Sequence, residues 1–446
     1  MIDKINQTTT VDKYFRHSAR YAPRRLEKDK KNACHLRVDG SCPIQIAEMN
    51  ERLRNISDIP AKDRPRMLRS MLESIVSSKT VADDCRIYLA HICSEEHGLV
   101  MCRQLIHEFT ELFANWSTDK DPALVMAVWR DALESTSTKS VAFESEISAI
   151  REHLAAIMQD QEDWAGAAQV LQGIPLDSGH RTVPNDYKVR IYIHIVQLLL
   201  EDNNSVSAEA YLNRAALIMH LVEDPVMHLK FQGCQARALD FRRAFLQAAG
   251  KYYELSNRSE LGEMEQVNCL AQACTCAILA GAGPMRSRIL ATLYKDPRVH
   301  TSPQLLTSGI ASMLEKMRLG QVCRQSEAEA FRAQLKPHQD ALLAGSQTIL
   351  DRALVEHNLL SASKLYANVD IGELGHLLGI SAERAEGVAS HMISENRLQA
   401  SIDQVSGLIF FSSQAIVPEW TDQIARLCGK VNHLVNEIKQ KYPQLT

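Results

Sequence analysis

From Ile44 to Leu335 the chain keeps one pattern: apolar residues at helical spacing, interrupted only by short runs of helix punctuation. Strand-like alternation is absent from this stretch. So long a run exceeds what one hydrophobic core organises, and helices with no sheet to cover must stack on one another. The punctuation is specific. Asp121-Pro122, Val183-Pro184 and Asp224-Pro225 each open a helix, with proline where its missing N–H costs nothing. Gly173-Ile174-Pro175 and Asp202-Asn203-Asn204 close helices.

The middle of the chain divides into helix pairs. The spacing predicts Phe143–Gln159 with Asp163–Gln172, Pro184–Glu201 with Val206–His220, and Pro225–Leu239 with Phe241–Leu255. The second helices begin near positions 163, 206 and 241, within the ~35–45-residue period of helical solenoids. They carry small residues (Ala167-Ala168, Ala208 with Ala210, Ala248-Ala249) beside large ones (Trp164, Leu171, Tyr211, Leu212, Phe245, Tyr252). Small against large is how stacked pairs approach closely, and no pair buries both faces alone. Glycine and proline in Gly281-Ala282-Gly283-Pro284, Asp296-Pro297 and Ser302-Pro303 predict an exposed loop over 281–303, then short helices to Leu335.

Beyond Leu335 the character changes. A long helix, Ile349–Tyr366, leads through Ala367-Asn368-Val369 to a short helix, Ile371–Leu378, which Gly379 can end in a left-handed cap. Ser381 opens a further helix, Ala382–Asn396. Two short strands follow, Gln399–Ile402 and Leu408–Phe411. This is the winged-helix order. After Pro418, Trp420, Ile424, Leu427, Val431, Leu434 and Ile438 are spaced 4, 3, 4, 3 and 4 apart, an a/d seam. That helix either folds back on its own winged helix or joins helices of other chains; so regular a seam suits helix partners better than a sheet face.

The fold class predicted is therefore all-α for most of the chain: a right-handed, TPR-like helical-repeat solenoid, then a winged-helix module, then a terminal helix. The expected segments are an N-terminal arm over 1–40, the solenoid over 41–335, the winged helix over 336–412 and the assembly helix over 418–446.

Catalytic constellations are missing. No G-x-x-x-x-G-K-[ST], G-x-S-x-G or C-x-x-C occurs, and His107-Glu108-Phe109-Thr110-Glu111 lacks the second histidine of a helical zinc motif. Cys269, Cys274 and Cys276 cluster within a helical pattern, where buried thiols are the default. No enzyme activity, cofactor or metal is expected. Eleven scattered cysteines suit a reducing compartment, cytoplasm or nucleus. No apolar run is long enough to span a membrane.

Charge decides against nucleic acid. Net charge is -4 over the whole chain. Between Ala367 and Asn396 one arginine, Arg384, faces Asp370, Glu373, Glu383, Glu386 and Glu395; after Arg397 the next basic residue is Arg426. A DNA reader must neutralise phosphates, and this module has almost nothing to do it with. Protein partners remain. The hairpin residues Gln399, Ile402, Leu408 and Phe410 offer an edge for strand addition.

Helix pairs followed by a winged helix and a terminal helix resemble the PCI proteins of the COP9 signalosome, the proteasome lid and the multisubunit initiation factor. Local strings resemble the signalosome branch: Glu162-Asp163-Trp164 through Leu171, Gly173-Ile174-Pro175-Leu176, Ala208-Glu209-Ala210-Tyr211, Arg286-Ser287-Arg288, and above all Glu356-His357-Asn358-Leu359-Leu360-Ser361-Ala362-Ser363-Lys364-Leu365-Tyr366. The resemblance runs from Phe143 to Ile438 and is weak before that. It implies a non-catalytic scaffold and substrate-sensing subunit in a complex that removes Nedd8 from cullins. The partners implied are other PCI subunits, a metalloprotease pair and, through the N-terminal arm, a neddylated cullin–RING ligase. It also makes Arg286, Arg288, Lys295 and Arg298 candidates for a relay contact on the 281–303 loop. A proteasome-lid subunit and a winged-helix nucleic-acid binder are the alternatives.

Overall fold

In the computed structural model the described residues are Met49, Glu51, Leu53, 64–76, Ser78, 81–93, 98–117, 120–137, 142–177, 182–342, 347–411, Ile424, 426–435 and Lys441. The N-terminal arm over 1–40, Trp420 and Ile438 lie outside them. The chain separates into two compact units that divide between Arg242 and Arg243.

The first unit is a stack of helices: α1 (Arg64–Val76), α2 (Val81–Ile92), α3 (Leu99–Trp116), α4 (Pro122–Ser137), α5 (Glu144–Asp160), α6 (Trp164–Gln172), α7 (Asn185–Glu201), α8 (Ser205–Ile218) and α9 (Pro225–Phe241). Sequence neighbours pack together from α1 to α3 and from α4 to α9, and α1 packs on α3, α2 on α4, α3 on α5 and α7 on α9 as well, which is how a solenoid covers faces that one pair leaves open. Phe109 stacks on Phe113 at 4.4 Å, meets Trp129 edge-on at 5.9 Å, and Trp129 stacks on His153 at 5.0 Å. This aromatic run joins α3, α4 and α5. In α8 the buried stripe is Ala208, Leu212 and Ala215; Ala210, expected beside Ala208, is exposed.

Glu162, Asn203 and Arg243 all take left-handed φ, at 63°, 61° and 62°. They hold the same place in three successive turns about 40 residues apart, which sets the repeat period. Asp163 and Asn204 then cap the following helices by accepting from the Gly166 and Ser207 amides. The third turn is 242–244 and the next helix starts at Phe245, later than the Phe241 expected from sequence.

The second unit holds α10 (Phe245–Ser256), α11 (Glu263–Leu279), α12 (Pro284–Tyr294), α13 (Pro297–Thr301), α14 (Pro303–Thr307), α15 (Ile310–Leu319), α16 (Gln325–Arg332) and α17 (Ile349–Leu365). The segment 281–303 is thus mostly helix, not loop. Its prolines sit in first turns, and the Asp296 carboxylate caps the Arg298 amide beside Pro297. The winged helix follows: β1 (Asn368–Asp370), α18 (Ile371–Leu378), α19 (Ala382–Ser394), β2 (Ala400–Asp403) and β3 (Leu408–Phe411). Gly379 takes left-handed φ 70° after α18, as its position predicts. The sheet order is β1-β3-β2, both pairs antiparallel. Val355, Leu359, Leu374, Ala385, Ala389, Met392 and Ile409 are among its core residues.

Candidate protein-interaction site

Glu356, on α17, is a buried and fully partnered polar group of the second unit. Its side chain is 2% exposed and accepts four hydrogen bonds: from Arg352 Nε (2.9 Å), Arg397 Nη1 (2.5 Å), Arg397 Nη2 (3.3 Å) and the Ala282 amide (3.0 Å). Arg397 also donates to the Ala282 carbonyl at 3.0 Å. Burial alone raises a carboxyl's pKa, but the hydrogen bonds from Arg397 and Arg352 outweigh it and hold Glu356 below its usual range. This cluster locks the turn at 281–283 to the winged helix.

The rest of the same string works similarly. His357 Nε2 donates to the Gln321 carbonyl at 2.9 Å, and Ser361 Oγ donates to the His357 carbonyl. Asn358 accepts from the Cys323 amide and donates to the Cys323 carbonyl, at 2.9 and 3.1 Å. Burial, with Arg286 and Lys364 adding repulsion, pushes His357 down to about 4, so the ring is neutral at physiological pH. This string fastens loops to a helix.

The relay candidates separate. Arg286 is buried, donating to the Ala277 and Ile278 carbonyls and to Met317 Sδ, where it satisfies the last carbonyls of α11. Its burial lowers its pKa to about 10. It is a core residue and cannot meet a partner as a loop residue would. Arg298 is held by Asp296, by the Ser256 carbonyl at 2.6 Å and by Asn257 Oδ1 at 2.6 Å. Arg288 and Lys295 are exposed.

The hairpin also differs from expectation. β3 is the central strand: Leu408 pairs with Asp370 and Asp403, and Phe410 with Asn368 and Ser401. Leu408 and Phe410 therefore lie on no edge. The edges are β1 and β2, the latter carrying Ile402 just after Gln399. Phe410 is instead 41% exposed on the outer face of the sheet. Beside β1 a groove of about 470 Å³ is lined by Tyr366, Leu374, Leu377 and Leu408, with Asp370 and Glu373 contributing acidity. Sequence patterning fixes faces of strands but not their order, so this groove had no local signal.

On the C-terminal helix Ile424, Leu427, Val431 and Leu434 are 55%, 65%, 52% and 56% exposed. Four large apolar side chains at a/d spacing on one helix form a surface for helix packing. Among the described residues no cluster of metal-ligating side chains occurs and no helix is long and apolar enough to cross a membrane.

Known protein families and curated proteins match most of the chain. A family profile described as PSMD12/CSN4, N-terminal, matches residues 45–263, and the PCI domain profile matches 335–413. The chain is 42% identical to COP9 signalosome complex subunit 4 of Dictyostelium discoideum over 384 residues, covering 86% of this chain and 94% of that protein. It is 38% identical to the Drosophila melanogaster protein of the same name, over 90% of this chain and 97% of that one. The Arabidopsis thaliana protein of that name is also 38% identical, over 88% and 98%.

Proposed function

Because the chain belongs to the COP9 signalosome subunit 4 family, we propose that it is a non-catalytic scaffold and substrate-sensing subunit of that complex, acting in removal of Nedd8 from cullin–RING ligases. Its winged helix joins neighbouring PCI subunits through the sheet edges and the groove beside β1. Its C-terminal helix enters a bundle with helices of other subunits. Its N-terminal helices engage the neddylated ligase, and exposed Arg288 and Lys295 stand on the route to the metalloprotease pair, which supplies the chemistry. It works in cytoplasm and nucleus.

The observation that carries the scaffold reading is the exposed stripe Ile424, Leu427, Val431 and Leu434, since a row of half-exposed apolar side chains is costly unless another helix covers it. The acidity of the winged helix favours a protein partner over nucleic acid. The test is to purify the intact tagged chain from its native cells, identify what accompanies it and assay that mixture for Nedd8 removal from a cullin. Signalosome subunits with that activity are expected. Proteasome-lid subunits, or salt-dependent DNA binding by the chain, would replace the reading.

A further inference from the structure

A second cleft lies at the other end of the Glu356 cluster, where the turn after Arg242 meets the start of α17. It has a volume of about 210 Å³, with Phe245, Leu279 and Ile349 among its walls, Arg243 and Arg352 at its sides and Glu356 in its lining. That is below the ~300–1,000 Å³ of ordinary small-molecule sites and suits one side chain. Its charge is unbalanced. Glu356 already accepts four hydrogen bonds, two of them from Arg397, whose other contacts are to the Ala282 carbonyl and Glu395. Arg352 spends only Nε on Glu356, at 2.9 Å, and is 46% exposed. Arg243 is exposed and has no hydrogen bond or ion pair among the described residues.

Arg243 also occupies its place at local cost. It takes φ 62° where the preceding turn has Asn203, a residue more tolerant of left-handed backbone, and the capping Asn204 of that turn is replaced by Ala244. The third turn gives up both stabilisers and sets a guanidinium beside an apolar cleft.

We infer that this cleft is a docking pocket for one carboxylate side chain, aspartate or glutamate, of a partner polypeptide. The carboxylate lies between Arg243 and Arg352, and its methylene stem rests on Phe245, Leu279 and Ile349. Two guanidinium groups, one partly neutralised, match a single negative charge in paired hydrogen bonds. The inference does not depend on which assembly the chain joins.

Its test uses the full-length chain with labelled isoleucine and leucine methyl groups. N-acetylglutamate α-amide is the probe, with the glutamine and phosphoserine counterparts beside it, at low salt. The Ile349 and Leu279 methyl signals are expected to shift saturably with the glutamate probe. The glutamine probe should bind about tenfold more weakly, as should the glutamate probe to Arg243→Gln, whose melting temperature should match the parent. No saturable shift, an equal response to glutamine, or an unchanged response in Arg243→Gln overturns the assignment. Tighter binding of phosphoserine overturns the carboxylate and makes the cleft a phosphate reader.

Discussion

Glu356 and His357 are adjacent on one helix and answer differently to loss and to pH. Glu356→Gln takes from Arg397, only 17% exposed, its buried counter-charge and leaves it the partly exposed Glu395. Removing one partner of a buried pair costs about 3 kcal/mol, read as a lower urea midpoint; Arg352→Gln, at a 46% exposed arginine, should cost well under ~1 kcal/mol. Equal losses would mean that Arg397 does not depend on Glu356. Because the folded pKa of Glu356 is depressed, its contribution is present above the unfolded value of about 4.3 and disappears as pH falls through the folded value. His357 acts in a higher window. The folded ring titrates near 4 and the unfolded ring near ~6.5, so the unfolded state takes up the proton first and stability falls as pH drops from about 6.5 toward 4. His153 and His194 are also lowered by burial, so the check is a difference: urea unfolding of His357→Gln against the parent should show a shallower pH slope in that window. An unchanged slope removes His357 from the account. None of these roles was readable from the residues themselves. Glu356 bonds Ala282 and Arg397, and Asn358 bonds Cys323; partners so distant in sequence leave no local spacing to find, and the string stood out only by resemblance.

Single elements were far more readable. Ile371–Leu378, the left-handed Gly379 and the strand Leu408–Phe411 follow from apolar period and cap chemistry, both of which act within a few residues. The helices of 281–303 were missed because they are short and begin with proline, which reads as a break until the Asp296 cap is seen. The central place of β3 was missed because pairing is not local. The same elements offer a paired experiment on glycine. A Cβ on Gly375 would lie 2.9 Å from the Ile380 carbonyl oxygen and 3.2 Å from the Ala382 amide, both backbone atoms of the turn into α19. Gly375→Ala must move that turn and should cost about 1–3 kcal/mol. Gly387, within α19, has nothing within 4 Å of such a Cβ, and Gly387→Ala should add about 0.5–1 kcal/mol through helix propensity. Urea unfolding of both variants measures the contrast. Equal effects would mean that the α18–α19 junction is looser than its geometry.

At the scale of the whole molecule the chain behaves as two units that each build a core, plus a terminal helix whose apolar seam has not been covered. That seam separates stability from assembly. Ile424, Leu427 and Val431 are 52–65% exposed, so replacing all three with serine removes little that the isolated chain has buried. Surface changes of this kind stay within about 0.5 kcal/mol each, and the urea midpoint of the purified subunit should hardly move. In a helix bundle the same side chains lose their remaining contact with water. Completing their burial contributes roughly 1 kcal/mol apiece, so the triple variant should bind its helix partners on the order of a hundredfold more weakly. The measurement is co-purification of the tagged variant beside the parent, with unfolding recorded on the same preparations. Lost partners with an unchanged midpoint fit a seam that faces other chains. A large fall in midpoint would mean that the helix folds back on its own winged helix, and retained partners would mean that assembly rests on the sheet edges and the groove beside β1 instead.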